Sequence, residues 1–249
     1  MDKTYSKVVA IVPAAGLGLR FGGKVKKTFR ELDGKPVLAR TLEALERTAL
    51  ITEIIPALRP EDHGLLRDLI SRYGIQKVKR IAPGGKERQD SVWSALKLVS
   101  PDAETVAVHD GVRPMATPEF MSGVIEALYD EGGIRWDGVV PGLMPKDTIK
   151  EVLGKEVLGE GAIKTTLAVR TTLDRRSLVA VQTPQVFRYE SLMSAYEKAM
   201  ARGYYATDDA ALVEAAGGRV KVAPGIPENI KITAPVDIIL SEALLLFRR

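Results

Sequence analysis

The junction of Val8-Val9-Ala10-Ile11-Val12 with Pro13-Ala14-Ala15-Gly16-Leu17-Gly18-Leu19-Arg20 restricts this chain more than any other stretch. A short, mainly β-branched apolar run reads as a buried strand, and the small, glycine-rich loop after it lets backbone N–H groups approach a ligand closely. Arg20, Lys24, Lys26 and Lys27 set cations within a few residues of those amides. Such a loop suits a polyanion, a nucleoside triphosphate first among the candidates. The bland alternative is that Gly16 and Gly18 serve a strand-to-helix turn and the cations are merely solvated.

Two familiar glycine loops do not match. The dinucleotide fingerprint requires a third glycine where Phe21 stands. The phosphate loop of the nucleoside triphosphatases finds Gly18, Gly23 and Lys24 in register, but Val25 replaces the hydroxyl that should hold magnesium. What remains is a loop with Arg20 and Lys27 spaced to neutralise charge around a transferring phosphoryl group.

The 249 residues suffice for one α/β domain with a full core, residues 1–249, carrying an arm at about 142–175. The absence of cysteine excludes a disulfide scaffold, a thiolate metal site and a cysteine nucleophile, and is compatible with a reducing cytoplasm. Net charge is a modest +4, which suits an anionic substrate. Aromatic residues are too few and scattered for base-stacking platforms, so nucleic acid is not an expected partner. No apolar run is long enough to span a bilayer and the first residues contain no signal-like apolar segment, so the expectation is a soluble, unexported protein with no membrane partner.

Short apolar runs at Val8 to Val12, Glu53 to Ala57, Lys77 to Ile81, Thr105 to Val108 and Gly138 to Val140 read as strands. They alternate with helix-spaced patterns at Pro36 to Arg47, Glu61 to Arg72, Ser91 to Leu98 and Thr117 to Asp130. This alternation predicts an α/β fold: a doubly wound, Rossmann-like, mostly parallel sheet with ligands beyond the carboxyl ends of its strands. The loops after Val12 and Val108 should therefore meet in one crevice. From Pro141 to about Arg176 two extended segments, Lys146 to Val152 and Thr165 to Thr172, flank a glycine-containing middle, an excursion that needs a surface to pack on. Beyond it the pattern predicts strands at Leu178 to Gln182, Val220 to Ala223 and Asn229 to Thr233, and helices at Tyr189 to Ala201, Asp208 to Ala216 and Ala234 to Leu246.

Seven blocks then carry a specific resemblance. Pro13 to Arg20 followed by Lys27 resembles the signature loop of nucleotidyltransferases that join a sugar or polyol phosphate to a nucleotide. With Gly84 to Val92, Val108 to Pro114, Lys146-Asp147-Thr148, Gln182 to Gln185, Thr207-Asp208-Asp209 and Asn229 to Thr233, in that order, the chain is most similar to the 2-C-methyl-D-erythritol 4-phosphate cytidylyltransferases. The resemblance implies attack of the methylerythritol phosphate oxygen on the α-phosphorus of CTP, in isoprenoid precursor synthesis. It implies Mg2+ or another divalent cation as cofactor, and a homodimer whose arm lends residues to the neighbouring site. Alternatives are a ribitol 5-phosphate cytidylyltransferase and, outside enzymes, a nucleotide-binding regulatory protein. Retention of Arg20, Lys27, Asp110 and Lys231 together argues against the latter.

By the same resemblance, Arg20, Lys27 and Lys231 are the catalytic cations. Ala14, Ala15, Gly16, Gly18, Gly85, Ser91 and Gly111 bind the nucleotide, and Asp110, Arg113, Thr148, Arg175, Thr183 and Thr207 bind the acceptor, with Asp110 also the metal ligand. From the residues alone, Lys231 could be an edge-strand lysine facing water and Arg113 a structural ion-pair partner of Asp110. Ser91 and Thr207 could cap helices. His63 and His109 read as non-catalytic. The chain departs from the family pattern at Lys26, where proline is usual, at Lys86, often acidic or small, and at Glu228, commonly aspartate.

Overall fold

The computed structural model describes residues 7–16, 26–129, 133–153 and 167–248. In chain order these form β1 (Val8–Pro13), β2 (Glu31–Leu32), β3 (Lys35–Pro36), α1 (Val37–Arg47), β4 (Ile51–Leu58), α2 (His63–Arg72), β5 (Ala82–Pro83) and α3 (Arg88–Leu96). There follow β6 (Thr105–Val108), α4 (Pro118–Tyr129), β7 (Gly138–Leu143), β8 (Lys150–Val152), β9 (Val169–Thr172), β10 (Ala180–Val181), β11 (Gln185–Arg188), α5 (Tyr189–Ala201), α6 (Asp209–Ala215), β12 (Val220–Pro224) and α7 (Pro235–Phe247). The central sheet has eight strands in the order β10-β7-β11-β6-β1-β4-β5, with β12 on the other edge of β7. The pairs β1–β4, β1–β6, β4–β5 and β12–β7 are parallel, while β11 runs antiparallel between β6 and β7. This is the expected mostly parallel α/β sheet.

β1 shows why the chain chooses it. Its side chains alternate, and both faces are covered. Val8, Ala10 and Val12 join Leu38, Leu42, Leu45, Met121, Ile125 and Leu128 of α1 and α4 in one core. Val9 and Ile11 face Val92, Leu96, Leu192, Tyr196 and Val213 of α3, α5 and α6 in the other. A third, smaller core under α7 gathers Leu32, Val37, Val112, Met115 and Ile232. Among the described residues no helix is long and apolar enough to cross a membrane.

Three strand expectations are corrected. The segment Lys77 to Ile81 contributes one bridge, Ile54 to Val78, and the paired strand begins only at Ala82. Its charges explain this: Arg80 turns back to Glu53 at 2.7 Å, and a charged edge resists extension of the ladder. Asn229 to Thr233 is not a strand; its Ile232 N–H donates to the Val112 carbonyl at 2.9 Å, outside any sheet. The expected strand Leu178 to Gln182 shrinks to Ala180–Val181. β11 follows Pro184 directly, and only its Val186 and Phe187 are apolar, so the local pattern offers no run long enough to predict it.

The hairpin of β8 and β9 pairs only with itself among the described residues, and Arg175 Nη1 ties its base by donating to the Lys146 carbonyl at 2.6 Å. The middle of the arm, 154–166, lies outside the described residues. Phe187 of β11 is fully buried between sheet and helices. Phe187→Ala is expected to lower unfolding stability by about 3–5 kcal/mol, measured by urea denaturation.

Candidate active site

The loops at the carboxyl ends of β1, β4, β5 and β6 open onto one cleft of about 790 Å³. It is lined by Pro13 to Gly16, Lys27, Thr28, Arg59, Gly85 to Arg88, Ser91, Asp110, Val112, Thr207, Lys231 and Thr233. Nine predicted site residues therefore share it: Ala14, Ala15, Gly16, Lys27, Gly85, Ser91, Asp110, Thr207 and Lys231. Gly18 and Arg20 lie outside the described residues. Gly111, Arg113 and Thr183 are not among the lining residues; Arg113 and Thr183 are buried. Thr148 and Arg175 are exposed on the arm and do not line this chain's own cleft.

Small residues allow the loops to nest. The Ala14 N–H donates to the Ala57 carbonyl at 2.9 Å and the Gly111 N–H to the Pro13 carbonyl at 3.2 Å, extending the strand pairing past both strand ends. A Cβ on Gly84 would sit 2.2 Å from that of Ala15, and one on Gly111 3.0 Å from that of Ala14, so neither position has room for a side chain without movement. Arg59, absent from the sequence-based site, donates from Nε to the Ala15 carbonyl at 3.2 Å. Its place immediately after β4 was the available signal.

The helix after Gly85 is capped differently from expectation. Glu87 and Asp90 form the reciprocal capping box of α3, and Ser91 sits a turn further in. Its hydroxyl accepts from the Gly85 N–H at 3.0 Å and donates to the Glu87 carbonyl at 3.2 Å, closing the loop. Thr207 is likewise not a cap: Asp208 caps α6 by accepting from the Ala211 N–H at 2.9 Å, which leaves Thr207 exposed at the cleft.

Charge concentrates at Asp110. Its Oδ1 accepts from Arg88 Nε at 3.0 Å, its Oδ2 lies 3.0 Å from Lys231 Nζ, and Arg113 Nε stands 3.6 Å from Oδ2. Burial opposes its ionisation, but the charges of Arg88, Lys231 and Arg113 outweigh it and hold the carboxyl well below the usual carboxylate range. Lys231 is thus no idle edge-strand lysine. Arg113 is the ion-pair partner considered from sequence, and it also donates from Nη1 to the Asn229 carbonyl at 2.7 Å, fixing the segment that carries Lys231. Asn229 completes the bracket by donating from Nδ2 to the Thr183 carbonyl at 2.7 Å.

Behind Asp110 runs a chain of neutral hydrogen bonds with one consistent direction. The Asp110 N–H donates to Thr183 Oγ1 at 3.1 Å, which lies 3.1 Å from His109 Nδ1, while His109 Nε2 lies 3.2 Å from the Arg113 carbonyl. A carbonyl only accepts, so Nε2 bears the proton and Nδ1 accepts from the threonine hydroxyl. Burial pushes the His109 pKa down to about 4, consistent with a neutral, non-catalytic imidazole.

Lys26 adopts φ −61 and ψ 141, a backbone that proline also adopts, so the departure from the family pattern leaves the turn intact. Its ammonium lies 2.5 Å from Asp62 Oδ2, joining the end of the glycine loop to the turn before α2. Among the described residues no group of three or more His, Cys, Asp or Glu side chains is arranged to hold a metal ion. The carboxylates lining the cleft are Asp110 and Glu87, the latter engaged in the cap of α3, a sparse hard-oxygen set that suits a magnesium ion coordinated chiefly by phosphate oxygens.

The neutral His109 generates a pH prediction. Its folded pKa of about 4 lies below the free value of 6.5, so it favours the folded state above 6.5 and this contribution falls away as pH drops toward 4. Urea unfolding should show this loss, up to about 1.4 kcal/mol per pH unit, and His109→Gln should flatten that part of the profile.

The family model described as 2-C-methyl-D-erythritol 4-phosphate cytidylyltransferase matches residues 8–246. A 2-C-methyl-D-erythritol 4-phosphate cytidylyltransferase of Pelotomaculum thermopropionicum is 39% identical over 244 residues, covering 98% of this chain and 96% of its own. One of the same name from Syntrophus aciditrophicus is 42% identical over 240 residues, covering 96% of each. Among solved structures, the 4-diphosphocytidyl-2C-methyl-D-erythritol synthase of Anaerococcus prevotii superimposes with a TM-score of 0.79 at 33% identity, over 97% of this chain and 96% of its own. A match of this extent, on a chain whose motifs converge on one cleft, means that the protein belongs to the 2-C-methyl-D-erythritol 4-phosphate cytidylyltransferase family.

Proposed function

We propose that this chain transfers the cytidylyl group of CTP to 2-C-methyl-D-erythritol 4-phosphate, giving 4-diphosphocytidyl-2-C-methyl-D-erythritol and pyrophosphate in cytoplasmic isoprenoid precursor synthesis. The observation that carries this reading is the convergence of Lys27, Lys231 and Asp110 on the cleft beyond β1 and β6, in a chain of this family. A phosphate oxygen of the acceptor attacks the α-phosphorus, forming the new P–O bond as the bond from that phosphorus to the bridging oxygen breaks and pyrophosphate leaves. Both reactants are anions, so the protein's work is positioning and charge neutralisation.

In this reading Lys27 and Lys231 clamp the triphosphate, Arg20 joining them from the glycine loop, while Gly16 and Gly18 offer the backbone cradle. Ala14, Ala15, Gly85 and Ser91 surround the cytosine and Gly111 the ribose. The hydrogen bonds of Ser91 within its own loop support the first role, because they fix the loop's shape before the base arrives. Asp110, Arg113, Thr183 and Thr207 serve the acceptor side, the buried Arg113 and Thr183 by setting Asp110 and its neighbours. Magnesium, carried in on the triphosphate and adjoining Asp110, would supply further neutralisation of phosphate charge.

Thr148 and Arg175 require a second subunit in this reading. Its support is the arm itself: a two-stranded excursion is marginal alone, and Met144, Leu153 and Val169 leave apolar side chains 54% exposed along it. A homodimer would cover these side chains and carry Thr148 and Arg175 to the neighbour's cleft.

Two measurements test these assignments. Lys27→Ala and Lys231→Ala should each lower kcat for pyrophosphate release by about 10²- to 10³-fold with CTP and methylerythritol phosphate, ribitol 5-phosphate serving as the control acceptor. Release with ribitol 5-phosphate alone would reassign the acceptor. Separately, Arg175→Ala and Lys231→Ala chains, each impaired alone, should recover about a quarter of wild-type activity when unfolded together and refolded, because half the dimers are mixed and each holds one intact site. No recovery from a mixture shown to exchange subunits counts against the shared site.

A further inference from the structure

Asp209 opens α6 on the far side of Arg88 from Asp110, and it is completely buried. Arg88 spans the two carboxylates. Its Nε donates to Asp110 Oδ1 at 3.0 Å, and its Nη1 lies 2.8 Å from Asp209 Oδ2 as an ion pair without an aligned hydrogen bond. The other oxygen of Asp209 accepts from the buried Tyr196 hydroxyl at 2.5 Å, and the Tyr196 ring stacks on Trp93 with centroids 5.9 Å apart. A continuous line therefore runs from the core between α3 and α5 through Asp209, Arg88 and Asp110 to Lys231 in the cleft.

Neither Asp209 nor Tyr196 lines the cleft. A guanidinium beside a single carboxylate tends to grip both of its oxygens. Asp209 draws one prong of Arg88 away, so that Asp110 gives Arg88 only Oδ1 and leaves Oδ2 to Lys231 at 3.0 Å, with Arg113 Nε further off at 3.6 Å. Holding a fully buried carboxylate costs desolvation energy that neither core packing nor the capping of α6, which Asp208 performs, requires.

We infer that Asp209 and Tyr196 are positioning residues, which hold Arg88 across two carboxylates and thereby reserve one oxygen of Asp110 to orient Lys231. This rests on the reading of Lys231 as a triphosphate clamp. Without the Asp209 charge, Arg88 closes on both Asp110 oxygens and Lys231 loses its anchor.

The experiment is a double-mutant cycle on pyrophosphate release. Asp209→Asn is expected to lower kcat by about 10- to 30-fold, with KM for CTP changed less than about threefold, as for a group acting through another in the transition state. In a Lys231→Ala background the same substitution should cost less than about twofold, because the group it acts through is gone. Tyr196→Phe, which keeps the ring stack, should give a smaller loss that also vanishes in that background, and it carries the cycle if Asp209→Asn does not fold. A folded Asp209→Asn enzyme with unchanged kcat, or losses that multiply in full on Lys231→Ala, would overturn the inference. If Lys231→Ala itself is as active as wild type, the clamp role fails and this inference with it.

Discussion

A single buried carboxylate organises the cleft. Asp110 meets Arg88, Arg113 and Lys231, and each cation arrives on a different piece of chain: the start of α3, the loop after β6, and the segment before α7. A buried charge is tolerable only when paired and hydrogen-bonded, so folding must bring these segments together or leave Asp110 at high cost. The same contacts leave an excess of positive charge facing the cleft, which suits a triphosphate and a phosphate arriving side by side.

The scaffold makes that cluster possible through close backbone approach. Ala14 and Ala15 lie between the turns at Gly84 and Gly111, where an added methyl would collide. The neutral chain through Thr183 and His109 then orients the backbone of Asp110 without adding charge of its own to the site. Burial keeps His109 neutral, which separates the structural hydrogen bonds behind the site from the electrostatics in front of it.

One departure from the family pattern has a visible structural replacement. Lys26 exchanges proline's covalent restriction for an ion pair to Asp62 at an unchanged kind of backbone angle. The arm carries Thr148 and Arg175 away from the chain's own cleft, with apolar side chains exposed along it.

The sequence by itself determined the mostly parallel sheet, because β-branched runs and helix-spaced runs alternate strongly enough that only strands buried on both faces can satisfy them, as β1 shows. It also determined the cleft's membership where a loop stands directly after such a strand, at Ala14 to Gly16 and at Asp110. Only the tertiary structure decided what depends on partners distant in sequence. The charged stretch Lys77 to Ile81 stayed mostly unpaired because Arg80 found Glu53. Asn229 to Thr233 became a bracket for Lys231, since Arg113 and Val112 took its hydrogen bonds before a strand could. Ser91 and Thr207 ceded the caps to Glu87 and Asp208 because local pattern cannot say which of several adjacent polar groups reaches the free N–H. In the link from Tyr196 through Asp209 and Arg88 to Asp110, the contact of Arg88 with Asp209 joins residues more than a hundred positions apart, and no spacing along the chain encodes it.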